Sequence, residues 1–236
     1  MRVSTRDVLA ELLVEALDDS VTAAAVRCLA AYGRACESEP STRVVDELLP
    51  SAQPIDRERT RQRLRECALL SWDQQSSSGQ VSLASGFVPE WPELRSQLIQ
   101  YGAALGEWTE VRGESDLTHA LRKGVLLFNH NLFFEVHEVL EPEWMKEHGD
   151  VKSFLQGLIQ VAVAFYHLGR RNLEGARSLL HEGLLKIIPH SPAFLGIELR
   201  EFIAGLEVCR QTLARLSLDT LDQVQTDRIP RMQRVG

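Results

Sequence analysis

The sequence predicts a mainly α protein: an antiparallel bundle of about five helices in the C-terminal part, preceded by a small helical module with one β-hairpin. Three observations carry this. Apolar residues recur at helical spacing almost without interruption from Asp116 to Leu216. The breaks between those stretches hold helix stops and starts. One stretch alone, LLSWDQQSSSGQVSLASG at 69–86, has strand character, with two short apolar runs around a Gln/Ser/Gly turn.

Taken in order, Ser4 or Thr5 caps a first helix with apolar positions Val8, Leu9, Leu12, Leu13, Ala16 and Leu17. Asp19 or Ser20 caps a second that carries Val21, Ala24, Ala25, Cys28, Leu29 and Tyr32. A short third helix is expected over Thr42–Leu49 and a fourth over Asp56–Leu70, followed by the hairpin at 69–84. Residues 86–96, with Pro89 and Pro92, read as a linker that leads into a helix over Glu93–Trp108. Bundle helices are expected at 116–129, 132–147, 151–169, 173–188 and 192–216. Gly149–Asp150 separates the second from the third, Gly169–Asn172 the third from the fourth, and Ser191 caps the last with Pro192 at its first position. Short loops make such helices antiparallel neighbours. The resulting division is 1–90, a linker at 91–115, a bundle at 116–216 and a polar extended tail at 217–236.

The chain has 236 residues, 44% of them hydrophobic, with a net charge of −7, so a buried core is available and a generally basic nucleic-acid coat is excluded. Twenty-two Arg stand against 4 Lys, a bias read as genomic. Cys28, Cys36, Cys67 and Cys209 lack CxxC spacing and read as reduced core thiols. The start, MRVSTRDVLAELL, has no apolar signal core, and no apolar run reaches the roughly 20 residues of a membrane span. A cytoplasmic protein without membrane contact is the expectation. Neither GxxxxGK[ST] nor GxGxxG occurs, His137-Glu138 lacks the second His of a zinc-protease helix, and LASGF does not complete GxSxG.

Three helices followed by a hairpin resemble a winged helix-turn-helix domain, in which the helix before the wing enters the DNA major groove. That helix carries Arg57, Arg59, Arg61, Arg63 and Arg65. With Thr60, Leu64, Cys67 and Ala68 inward, Arg61 and Arg65 face out as candidate phosphate contacts. The opposing reading is a solvated charged face, since Asp56, Glu58 and Glu66 share the helix. Residues 1–110 hold 11 Arg, no Lys and 17 acidic residues.

The stretch FNHNLFFEVHEVLEPEW, 128–144, concentrates the chemistry. At 100° per residue Glu141 lies about 40° from His137, with Phe133, Phe134, Leu140 and Trp144 within about 60°. Glu138 is at the rim, and Glu135 points away at about 160°. A carboxylate on an apolar stripe needs a partner. The next helix offers one in a polar stripe of Ser153, Gln156, Gln160 and His167. Folded antiparallel, Glu141 faces Gln156, and His137 faces Gln160. The expected pocket is His137, Glu138, Glu141, Trp144, Gln156 and Gln160, with His167 at one end. Three readings stay open. One is a hydrogen-bonded core network. Another is a divalent metal gripped by His137 and Glu141, completed by Glu138, His167, His130 or water. The third is a small-ligand pocket in which His137 or Glu141 does acid–base work.

LFNHNLFFEVHEVLEPEW followed by FLQGLIQVAVAFYHLGRRNLEGA resembles a bacterial and archaeal family of uncharacterised helical proteins, domain-of-unknown-function family 309, over roughly residues 116–190. The resemblance rests on the FN…FExHExxE pattern, the HxxxExxW element, the QGLIQ helix and the RxN turn. It implies a compact helical bundle and a metal role for His137 and Glu141, with Trp144 as the third member of the element. Asn131 stands where the family has Gly, and Asn tolerates a left-handed turn. Pro142 falls inside the element and is expected to kink or restart the helix, which frees the Glu138 carbonyl as a further ligand. Two functions follow: a bundle that binds metal or a small ligand, or a non-enzymatic regulator whose first domain contacts DNA or protein.

Overall fold

The computed structural model describes residues 5–49, 56–73, 79–111, 113–217 and 229–235. The chain is mainly α and divides into two compact units, Met1–Val111 and Arg112–Gly236.

In the first unit α1 (Thr5–Ala16) packs on α2 (Ser20–Ala35). Asp19 caps α2, its carboxylate accepting from Thr22 N at 2.7 Å; the cap candidate Ser4 lies outside the described residues. Next come β1 (Arg43–Val44), α3 (Val45–Leu48), α4 (Arg57–Glu66), β2 (Leu70–Trp72), β3 (Gln80–Leu83) and α5 (Trp91–Glu107). The strands form an antiparallel sheet in the order β1-β3-β2, with Arg43 opposite Val81 and Leu70 opposite Leu83. The third helix expected over Thr42–Leu49 is thus shorter, because Arg43 and Val44 are extended to pair with β3. The expected hairpin is present, and residues 74–78 of its turn lie outside the described residues. Tyr32 ties the layers together: its hydroxyl donates to Ser41 O and accepts from Leu83 N, both at 2.9 Å. Its ring meets Trp91 edge-on at 5.8 Å. The stretch read as a linker is therefore anchored: it forms a 3₁₀ segment, Ser85–Glu90, and then α5, with Trp91, Leu94, Leu98 and Tyr101 buried.

The second unit contains α6 (Asp116–Asn129), α7 (Phe133–Lys146), α8 (Gly149–Gly169), α9 (Leu173–Ile187) and α10 (Arg200–Arg215). The α6–α7 and α8–α9 turns share one design. Asn131 and Arg171 adopt positive φ of 59° and 60°. Leu132 N reaches back to Leu127 O, and Asn172 N to His167 O, each at 2.9 Å. This is a Schellman closure, and it satisfies helix-end carbonyls while reversing the chain. Phe128 sits at the centre of the core, 5.2 Å from Phe133, 5.9 Å from Phe165 and 5.5 Å from Phe202.

Two expectations are corrected. The stretch 192–216 is not one helix. Leu195 and Gly196 both have positive φ, 49° and 78°, the backbone of a two-residue hairpin turn. That turn joins β4 (Ala193–Phe194) to β5 (Ile197–Glu198). Glu198, not Ser191, receives the first amides of α10, from Arg200 at 2.8 Å. The tail is also more than a polar surface strand. Its β6 (Gln233–Arg234) extends the hairpin in the order β4-β5-β6, and Met232 is buried. Among the described residues no helix is long and apolar enough to cross a membrane.

Helices α8 and α9 touch at backbone distance. A Cβ placed on Gly183 would lie 2.8 Å from Gly157 O, and one on Gly157 would lie 3.0 Å from Gly183 O. Gly183→Ala should lower stability by about 1–3 kcal/mol in urea unfolding. Gly169→Ala, with nothing within 4 Å of the added methyl, should be neutral or slightly stabilising.

Candidate functional site

Helix α7 lies against both α6 and α8, so two of its faces are covered. Its buried arc is Phe133, Glu135, Val136, Val139, Leu140 and Glu143. Phe134, His137, Glu138, Glu141 and Trp144 form the half-exposed edge of that arc. The stripe is therefore rotated from the sequence-based expectation, which centred it on His137. Glu135, expected to point away, is 1% exposed. Lys123 on α6 is 6% exposed, and both side chains are engaged by partners. Glu143 is paired with Lys146 Nζ at 2.7 Å. Pro142 neither breaks nor restarts α7, which runs continuously through it with the ring exposed.

His137 stands between two carboxylates. Its Nδ1 lies 2.9 Å from Glu138 Oε1 and its Nε2 3.5 Å from Glu141 Oε2. The side chains of His137, Glu138 and Glu141 are 30%, 40% and 38% exposed, so the expected burial of His137 and Glu141 is corrected to a solvent-open edge. Spacing produces the arrangement: Glu141 is one helical turn on from His137, and Glu138 is its chain neighbour. Aromatic rings continue the edge in both directions. Phe134 lies 6.2 Å from the His137 ring and 5.7 Å from Tyr166 on α8. At the other end Lys152 Nζ sits 4.7 Å above the Trp144 ring. Trp144 Nε1 is buried with no hydrogen-bond partner among the described residues.

Gln160, one of the two expected glutamine partners, bonds elsewhere. Gln160 Nε2 donates to Glu182 Oε2 on α9 at 2.9 Å, and Ser178 holds the other carboxylate oxygen at 3.0 Å. Gln160 Oε1 is buried and has no partner among the described residues. The physical reason is that α8 is shared between α7 and α9, and Gln160 reaches across to α9. Gln156 is half-buried on α8. His167 closes the next turn, its Nδ1 3.1 Å from Asn172 Nδ2. Among the described residues no group of three or more His, Cys, Asp or Glu side chains is placed to hold a common metal ion.

The remaining candidates, Arg61 and Arg65, lie on α4, where Thr60 and Leu64 are buried as expected. Each arginine of α4 has an acidic neighbour. Arg57 and Arg61 pair with Asp46 of α3, Arg61 also with Glu58 at 3.6 Å, and Arg59 with Asp56 at 3.9 Å. Arg63 pairs with Glu15 and Glu66, and Arg65 with Glu58 at 3.9 Å. The Arg65 guanidinium also lies 4.4 Å over the Trp72 ring of β2.

Residues 121–179 match the domain of unknown function DUF309. The match runs from α6 to the first half of α9 and covers well under half of the chain. The matched residues include the turn at Asn131, the His137 edge and the α8–α9 turn. No curated protein matches the chain.

Because the His137–Glu141 pair is solvent-open, its coupling should be small. A double-mutant cycle with His137→Ala and Glu141→Leu should give at most about 1 kcal/mol in urea unfolding. A coupling of about 3 kcal/mol or more would restore the buried-pair reading.

Proposed function

We propose that the DUF309 segment binds a divalent cation at the open edge of α7, with His137 Nε2 and Glu141 as its protein ligands and water in the remaining positions. One observation carries this. The Nε2 to Oε2 separation of 3.5 Å is close to the roughly 3.3 Å between two ligands about 2.05 Å from a tetrahedral ion. Glu138 at Nδ1 supports the same reading, since metal-binding histidines commonly donate their second N–H to a carboxylate, which fixes the tautomer. Two protein ligands make a weak, exchangeable site. When bound, the ion would supply Lewis acidity and an acidified water. The chain's own groups orient the imidazole through Glu138 and present an aromatic wall of Phe134 and Tyr166.

Thermal unfolding with added Zn²⁺, Ni²⁺ or Mn²⁺ tests it. The wild type should gain stability as metal rises, by about 2.7 kcal/mol at a hundred times Kd. His137→Ala should lose the gain, and Glu138→Gln should weaken it. A melting temperature that ignores all three metals would leave His137 as an imidazole between two carboxylates and nothing more.

A second reading belongs to the first unit, on a separate observation: α2, β1, α3, α4 and a hairpin with sheet order β1-β3-β2. We infer a winged-helix-like module that contacts protein rather than duplex DNA. Phosphate binding needs unneutralised positive charge, and the α4 arginines already have acidic neighbours. Duplex binding by the wild type should stay weak even at low salt. Asp46→Asn with Glu58→Gln should raise it and make it steeply salt-dependent. Tight wild-type binding abolished by Arg61→Ala/Arg65→Ala would reverse this assignment.

A further inference from the structure

The segment 230–235 is bound to the second unit as a peptide is bound to a receptor. Asn129, the last residue of α6, clamps the backbone of Met232 from both sides. Its Nδ2 donates to Met232 O at 2.9 Å, and its Oδ1 accepts from Met232 N at 2.8 Å. The Met232 side chain is 3% exposed. Next in line, Gln233 and Arg234 pair as β6 with Glu198 and Ile197, and Val235 N donates to Gly196 O at 3.0 Å. On the other side Pro230 lies against Gly205 of α10, where an added Cβ would sit 2.5 Å from the proline Cβ. Arg231, Gln233 and Arg234 are exposed.

This is the grammar of strand addition. Main-chain bonds hold an extended segment against a sheet edge, and alternate side chains enter pockets. The receiving groups lie on α6, β5 and α10. A glycine leaves room for the proline, an asparagine reads the backbone of the methionine, and the edge of β5 takes the rest. Two anchoring side chains and a two-residue ladder form a small contact, of the kind that opens locally while the core stays folded.

We propose that the groove formed by Asn129, β5 and Gly205 is a peptide-recognition site for an extended Pro-x-Met segment, occupied here by the chain's own residues 230–235. The bound state is then self-complemented, and a partner segment of the same pattern competes for the groove. The inference is independent of the metal reading.

Hydrogen exchange on the full wild-type chain gives the first test. The amides of Met232 and Val235 should exchange at least about tenfold faster than those of Leu158 and Val161 in α8. A labelled peptide, Ile-Pro-Arg-Met-Gln-Arg-Val, gives the second. It should bind the full-length Met232→Ser chain, whose own segment is weakened, at least about tenfold more tightly than the wild type. Adding Asn129→Ala to that variant should remove the gain, and a scrambled peptide should not bind. Met232 and Val235 amides that open only with the α8 core would overturn the proposal. So would a scrambled peptide that binds as well as the true one. If Met232→Ser does not fold by circular dichroism, the wild-type exchange rates decide alone.

Discussion

Burial of α8 depends on how closely α9 can approach it. The helix is apolar on most of its circumference, with Phe154, Leu155, Leu158, Val161, Ala162, Phe165 and Leu168 buried. Covering that surface from the α9 side requires backbone contact, and Gly157 and Gly183 supply it without side chains in the way. The rotation of α8 is then fixed. On the α9 flank Gln160 meets Glu182. Its opposite flank takes α7, and Tyr166 and Lys152 meet Phe134 and Trp144. His137 and Glu141 are left at the edge of the α7–α8 contact rather than inside it. The site's exposure is thus a consequence of two glycines on other helices.

Electrostatics in the first unit follow the same logic of position over composition. Five arginines on the ten residues of α4 look like a phosphate-binding face when counted along the helix. In three dimensions α3 brings Asp46 beside Arg57 and Arg61, and α1 brings Glu15 beside Arg63. Exposed pairs of this kind add little stability. Their larger effect is on the field, because local neutralisation reduces the attraction for polyanions.

Much of the helical architecture was legible in the sequence because the turns announced themselves. Asn131 was expected to take a left-handed turn, and its φ is 59°. Of the two cap candidates Asp19 and Ser20, it is Asp19 whose carboxylate accepts from Thr22. The reading failed where a helix-like pattern hid a tight turn. In PAFLGIEL the spacing continues the helix, yet Leu195 takes a left-handed conformation that costs a residue with a Cβ about 1 kcal/mol or more. Tertiary pairing, invisible to local pattern, favours the hairpin: β5 receives β6 from a stretch more than thirty residues away. The site was legible in its residues and not in its burial. A single helix wheel finds the apolar centroid but not which neighbours cover it, and α7 has two. Gln160 was misplaced for the same reason. Glu135, read as outward, is 1% exposed; the wheel weighed only α8 as a neighbour, whereas α7 also packs on α6.

The stretch 128–141 carries most of what is distinctive about the second unit. Phe128 is the hub of the aromatic core, and Asn129 holds the strand-adding segment through both its amide atoms. Asn131 reverses the chain, Phe133 returns to the core and His137 emerges at the rim with Glu138 and Glu141. These tasks fall on consecutive turns of one helix hairpin. The backbone bonds of the Schellman turn, from Asn131 N to Phe128 O and from Leu132 N to Leu127 O, set where α7 begins. A helix rotates 100° per residue, so a one-residue slip in that starting point would carry His137 from the rim toward the covered arc. The close packing of Phe128 against Phe133 and Phe202 resists such a slip.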